Sequence, residues 1–189
     1  GLVERYGSPG KLRYGKSPFV VGIYERQVNR LTPDLQRDIL TYFDEAFGEA
    51  VHTRKTPQIR TIPVQESIKN APEVALFDDI FAFVKASDGP FAVMNCICRQ
   101  GKDLLGEPCR QTNHRENCLT FGAAARSMVE RGAARYVTRE ESLEYLRQAD
   151  RDGLVLEPQN AQNPLFVCCC CGCCCGVLTS AKKLPSPAE

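Results

Sequence analysis

Apolar residues along this 189-residue chain change their spacing several times, and each change marks an element. Leu2 to Tyr6 and Leu12 to Tyr14 flank Gly7-Ser8-Pro9-Gly10-Lys11, which has the turn chemistry of a hairpin loop. Phe19 to Tyr24 is β-branched and aromatic, which predicts a strand. At Thr32 the spacing becomes helical. A capping hydroxyl precedes Pro33 at the first helical position, and Leu35, Ile39, Leu40, Phe43, Ala46 and Phe47 predict an amphipathic helix to about Val51. Gln58 to Val64 alternates as a strand does. Pro72 opens a second helix through Leu76, Phe77, Ile80, Phe83 and Val84, closed by Ser87-Asp88-Gly89-Pro90.

From Phe91 the pattern is denser. Phe91 to Met94 reads as a buried strand, followed by a polar loop with Gly101, Gly106 and Pro108, and then by a helix from Cys118 to about Arg131. Thr138-Arg139-Glu140-Glu141 is a capping box that starts a helix with Leu143, Leu146 and Ala149 on its buried face; Gly153 lies just past its end. Val155 and Leu156 form a short return strand. The pattern predicts an α+β chain: residues 1–90 as a hairpin with helices, and residues 91–189 as a cysteine-rich half.

Composition narrows what such a chain can do. With 43% hydrophobic residues a core can form without covalent help. A net charge of +1 gives no overall field for nucleic acid or an anionic membrane. Arg5, Lys11, Arg13 and Lys16 are read as solvating a surface hairpin, not as a nucleic-acid-binding wing. No apolar stretch of membrane-spanning length and no secretory leader occurs, so a soluble, cytoplasmic protein is expected. His52, beside Arg54 and Lys55, is expected at an exposed helix end.

The eleven cysteines change the picture most. All lie after residue 95, in a front set of Cys96, Cys98, Cys109 and Cys118 and a back run of Cys168, Cys169, Cys170, Cys171, Cys173, Cys174 and Cys175. Neighbouring cysteines make strained disulfides, and the count is odd, so reduced thiolates that bind metal are the better explanation. Zinc sites use two short knuckles that close one tetrahedron. The front set has no second knuckle, and the back run holds more sulfur than one zinc ion can use. Polynuclear iron–sulfur cores take four thiolates each and spread their charge. Within the run, the gaps between Cys168 and Cys171, Cys170 and Cys173, and Cys171 and Cys174 allow a shared core, and Gly172 permits a sharp turn. His114 lies between Cys109 and Cys118 as an alternative ligand or a hydrogen-bond donor.

Asn95-Cys96-Ile97-Cys98-Arg99, Gly106-Glu107-Pro108-Cys109, Glu116-Asn117-Cys118-Leu119 and the run Cys168 to Cys175 resemble a group of microbial 4Fe-4S ferredoxin-type proteins with a winged-helix-like start. Val20 to Leu31 and Arg60 to Val64 resemble the segment that joins the two parts in that group. The resemblance implies 4Fe-4S clusters, two of them, held by Cys96, Cys98, Cys109, Cys118, Cys168, Cys170, Cys171, Cys173, Cys174 and Cys175. It sets Cys169 aside, because that position in the group is often not cysteine. In the group a ferredoxin module with Cys-x-x-Cys-x-x-Cys repeats often follows; here the chain stops at Glu189, so a fragment or a separate redox partner protein is expected. Only the terminal hairpin of the winged-helix-like part is visible. Cys170-Cys171-Gly172 resembles in three residues the Cys-Cys-Gly motif of heterodisulfide reductase-type sites. With no phosphate loop, dinucleotide motif or Ser-His-Asp order in view, the expected function is electron transfer as a carrier or redox-complex subunit. The alternatives are an oxidoreductase with a non-cubane catalytic core, an iron–sulfur redox sensor and a zinc-stapled module.

Overall fold

The computed structural model describes residues 2–6, 10–60 and 79–184. The fold is mixed α+β, with a hairpin and helices in the N-terminal part and a cysteine-rich C-terminal part. The opening hairpin pairs β1 (Val3–Tyr6) with β2 (Arg13–Lys16) in antiparallel register. Residues 7–9 of its predicted loop lie outside the described residues. Phe19 to Tyr24 does not join a described strand. Val20 and Val21 are extended, but the chain doubles back as Ile23 N–H bonds to Pro18 O at 2.9 Å and Tyr24 N–H to Phe19 O at 3.0 Å. Glu25 fixes the bend by accepting from Gly22 N–H at 2.6 Å.

The predicted helix after Thr32 forms as α1 (Pro33–Tyr42), passes through a wider turn at Phe43–Phe47 and continues as α2 (Gly48–His52). Its capping residue is Thr32, whose side chain accepts from Leu35 N–H at 3.3 Å. His52 ends this helix but is buried, against the expectation of exposure. Its Nε2 lies 3.2 Å from both Val177 O and Ser180 Oγ, so a distant segment covers what an isolated helix end would expose. Of the predicted strand Gln58 to Val64, Ile59 makes one bridge with Gln159, and residues 61–64 lie outside the described residues. The helix predicted from Pro72 is described only from residue 79. Asp79 caps α3 (Ile80–Ala86) by accepting from Phe81 N–H and Ala82 N–H at 2.9 and 3.0 Å.

The C-terminal part is built on a five-stranded antiparallel sheet. Its strands are β3 (Phe91–Asn95), β4 (Glu116–Phe121), β5 (Ala134–Val137), β6 (Val155–Pro158) and β7 (Phe166–Cys170), in the spatial order β5-β3-β4-β7-β6. Helix α4 (Ile97–Leu104) follows β3, where the sequence predicted a polar loop. Its buried positions are Ile97, Arg99 and Gly101, so it carries no apolar stripe for periodicity to detect. The helix predicted from Cys118 begins instead at Gly122, as α5 (Gly122–Glu130). Residues before it form β4, which is buried almost throughout; such a run looks the same in a strand and in a buried helix. Helix α6 (Arg139–Arg151) carries the predicted capping box, with Glu141 N–H donating to Thr138 Oγ1 at 3.1 Å and Thr138 N–H to Glu141 at 2.7 Å. Helix α7 (Gly176–Ala181) closes the described chain. No helix among the described residues is long and apolar enough to cross a membrane.

The sheet divides two apolar cores. Val93, Leu119 and Val167 stand side by side on neighbouring strands and face α3 and α6 through Val84, Leu143 and Leu146. The next row, Met94, Cys118 and Cys168, points to the other face. There Tyr24, Ile39, Phe43, Phe47 and Met128 pack from the N-terminal helices and α5. Successive side chains of a strand alternate between faces, so β7 delivers cysteines to both cores.

Candidate metal centres

That alternation sorts the cysteines. All eleven are free thiols. On the α6 face, β7 supplies Cys171 just past its end; the following turn supplies Cys173 and Cys174, and the segment after α4 supplies Cys109. Cys109 Sγ lies 3.6 Å from Cys171 Sγ and 3.8 Å from Cys173 Sγ, while Cys173 Sγ lies 3.5 Å from Cys171 Sγ and 3.7 Å from Cys174 Sγ. These four sulfurs can hold a metal ion together. A tetrahedral ion with metal–sulfur bonds of about 2.3 Å sets its sulfurs about 3.8 Å apart, which is the spacing found here.

On the opposite face six of the remaining seven thiols form a chain. Cys96 meets Cys98, Cys98 meets Cys175, Cys175 meets Cys170, Cys170 meets Cys168 and Cys168 meets Cys118. Cys96 and Cys98 arrive at the start of α4, Cys118 sits on β4 opposite Cys168, and Cys175 caps α7. Glu157 of β6 pairs with Cys168 in register, is 1% exposed, and places Oε2 4.0 Å from Cys175 Sγ. Glu157, Cys170 and Cys175 form a second set of side chains able to hold a metal. An internal cavity of about 40 Å³ touches Tyr24, Cys96, Cys98, Arg99, Cys168 and Cys175.

The front and back sets read from the sequence are therefore interleaved. Cys109 joins Cys171, Cys173 and Cys174 of the back run, whereas Cys96, Cys98 and Cys118 join Cys168, Cys170 and Cys175. Of the three cysteine pairs expected to share a core, only Cys171 and Cys174 fall in one group; Cys168 and Cys171, and Cys170 and Cys173, are parted by the sheet. Cys169 belongs to neither set of thiol contacts and packs in the apolar core of the α6 face. His114 places Nδ1 3.1 Å from Asp152 Oδ2 and is committed to that carboxylate. Gly172 has no left-handed backbone. A Cβ there would meet Lys182 Nζ at 2.6 Å, and Lys182 donates to Gly172 O at 3.0 Å, so the glycine leaves room for a lysine that ties the turn to α7.

The thiols feel each other strongly. Cys168 is held well below the ordinary thiol value by hydrogen bonds from Cys118 and Cys170, and those two are pushed well above it, first by the bond to Cys168 and then by burial. Cys175 is lowered to about 7 by hydrogen bonds from Cys170 and Cys98. In the first group burial pushes Cys109 up, but the Thr112 and Gln111 N–H groups and the Arg99 guanidinium outweigh it and bring the thiol down to about 6. Each group thus concentrates negative charge on a few sulfurs while its neighbours stay protonated. Metal binding removes that restriction, since thiolate is the ligating form.

Sequence reasoning missed Arg99, Glu157 and Glu25 as neighbours of the sulfurs. Arg99 adjoins Cys98 in sequence, which was a usable signal. Glu157 and Glu25 reach the second group only through strand register and the bend after Pro18, and no local signal marks them. Comparison with family models, curated proteins and solved structures returns no match.

Proposed function

We propose that this chain is an iron–sulfur electron-transfer protein with two 4Fe-4S-type centres, one on each face of the sheet. The observation that carries the reading is the second sulfur chain: six cysteines and a buried carboxylate exceed what one tetrahedral ion can use. Soft thiolates in this number fit iron and sulfide better than any single ion. The resemblance of the cysteine segments to 4Fe-4S ferredoxin-type proteins supports the same conclusion. A bound iron–sulfur core supplies a one-electron acceptor and donor. The chain's own residues bury the sulfurs, exclude water with Tyr24, Phe43 and Val177, and leave Cys173 of one group and Cys96, Cys98 and Cys168 of the other half-buried, close enough to the surface for a redox partner protein to approach. Free thiols in this number suit a reducing compartment, and the cytoplasm is the proposed location.

A second reading has an observation of its own. The four sulfur contacts of 3.5 to 3.8 Å in the first group are close to the edge of a zinc tetrahedron, so that group alone would suit structural zinc. Anaerobic purification followed by iron, zinc and acid-labile sulfide analysis with absorption and electron paramagnetic resonance spectra separates the two. Iron and sulfide in equal amounts, with signals from two centres, is the expected result. Zinc alone, or protein without metal or sulfide, defeats the electron-transfer reading.

A further inference from the structure

Arg99 is the largest fully buried side chain among the described residues, with no exposed surface. It lies on α4 one residue after Cys98, and it is held between the two sulfur groups. Its Nη2 donates to Cys169 O at 3.0 Å, so the backbone of β7 anchors it at the strand that separates the groups. Its Nε and Nη1 are buried with no hydrogen-bond partner among the described residues, and Cys109 is the sulfur that acts on the guanidinium as a hydrogen-bond partner. One carbonyl does not neutralise a guanidinium. An uncompensated buried cation costs several kcal/mol, and buried charges are accordingly found paired. The groups that act on this one are sulfurs from both sides: Cys96 of the second group, and Cys109 and Cys171 of the first. Cys168 feels its field in turn. Protonated thiols do not compensate it, whereas thiolates do, and every metal-bound sulfur on either side is a thiolate.

We propose that Arg99 is a positioning residue that serves as the shared counter-charge of both metal centres, so that one fixed cation sets both reduction potentials. This rests on the iron–sulfur reading. Reduction adds an electron to each centre and makes it more negative. A fixed positive charge nearby favours that form, and in a buried site solvent screens it little. Because the guanidinium stays protonated at any working pH, its contribution is constant, and because it stands between the groups, its loss is felt at both.

The test is a redox titration of both centres in the full chain, wild type beside Arg99→Gln and Arg99→Lys, with iron and sulfide measured on each preparation. In Arg99→Gln both centres become harder to reduce, by tenfold or more in the one-electron equilibrium, equivalent to about 59 mV. In Arg99→Lys, which keeps the charge but loses the planar fork, both equilibria stay within threefold of wild type. A fully loaded Arg99→Gln protein with either potential within threefold of wild type overturns the proposal. If Arg99→Gln does not load, Arg99→Lys decides: retention of both centres with near-wild-type potentials supports the shared charge, and loss of iron there overturns it in favour of a role in shape alone. Wild-type protein that lacks iron and sulfide fails the iron–sulfur reading itself, an outcome distinct from loaded variants with unmoved potentials.

Discussion

The two sulfur groups sit on opposite faces of one sheet and differ in kind. The first is compact: four cysteines, three of them from one turn, at van der Waals contact beneath α6. The second is extended: six cysteines drawn from α4, β4, β7 and the start of α7, with two buried carboxylates beside it and an N-terminal aromatic cluster over it. Phe43 and Phe47 stack edge to face at 5.3 Å, and Phe19 joins both. The contrast shows that ligand number and ligand sequence are separate matters. A local turn supplies three of the first group's four ligands and only Cys109 comes from afar, whereas the second draws its ligands from four separate elements that the fold must bring together.

If that contrast is right, substitutions divide by face and not by position in the run. The largest expected effect is loss of a whole centre. Cys171→Ala and Cys174→Ala each remove the first centre and do not compound, whereas Cys171→Ala with Cys168→Ala removes both; iron and sulfide per chain and paramagnetic resonance report it. A run that behaves as one unit, with Cys168→Ala and Cys171→Ala abolishing the same signal, would break the comparison. Next comes Gly176→Ala. A Cβ there would stand 2.7 Å from Phe43 Cζ, so the ring must move, at about 1–3 kcal/mol in denaturant unfolding. Only the second centre's spectrum should change.

Smaller still is Cys169→Ala. Its thiol packs with Val167 and Leu154 in the apolar core, so about 1 kcal/mol of stability is expected to go while both centres keep their iron. Loss of iron there would place the residue among the ligands. The smallest effect lies outside both groups. Glu116 accepts from Arg135 at 2.8 and 2.9 Å and from Tyr145 at 2.9 Å, and the bond from Arg135 leads in holding its carboxyl below the ordinary value. That stabilisation is complete above the ordinary carboxylate range and is lost as pH falls through the lowered value. For so exposed a pair it is worth less than about 1 kcal/mol. The difference in melting temperature between wild type and Arg135→Ala should therefore shrink on acidification. A difference that grew would contradict the assignment.

Much of the scaffold was legible in the chain. The Thr32-Pro33 cap, the helix after it, the strand at Phe91 and the capping box at Thr138 all follow from local chemistry, because each is specified by residues within one or two turns. The misreadings share a cause. Helix α4 buries an arginine and a glycine, β4 is buried on both faces, and His52 is covered by Val177 and Ser180. In each case the environment comes from chain far away, and periodicity records only a residue's own neighbours.

The sequence by itself determined that many thiols crowd near the carboxyl end, that they are too many for one tetrahedral ion, and that metal ligation explains them better than disulfides. The tertiary structure alone decided which thiols stand together. Whether Cys170 and Cys171 share a centre depends on whether they lie in a turn or in a strand. Placed at the end of β7, adjacent residues point to opposite faces, and the partners that wait on each face, Cys109 on one and Cys96, Cys98 and Cys118 on the other, are brought there by sheet pairing and helix packing that no local spacing encodes.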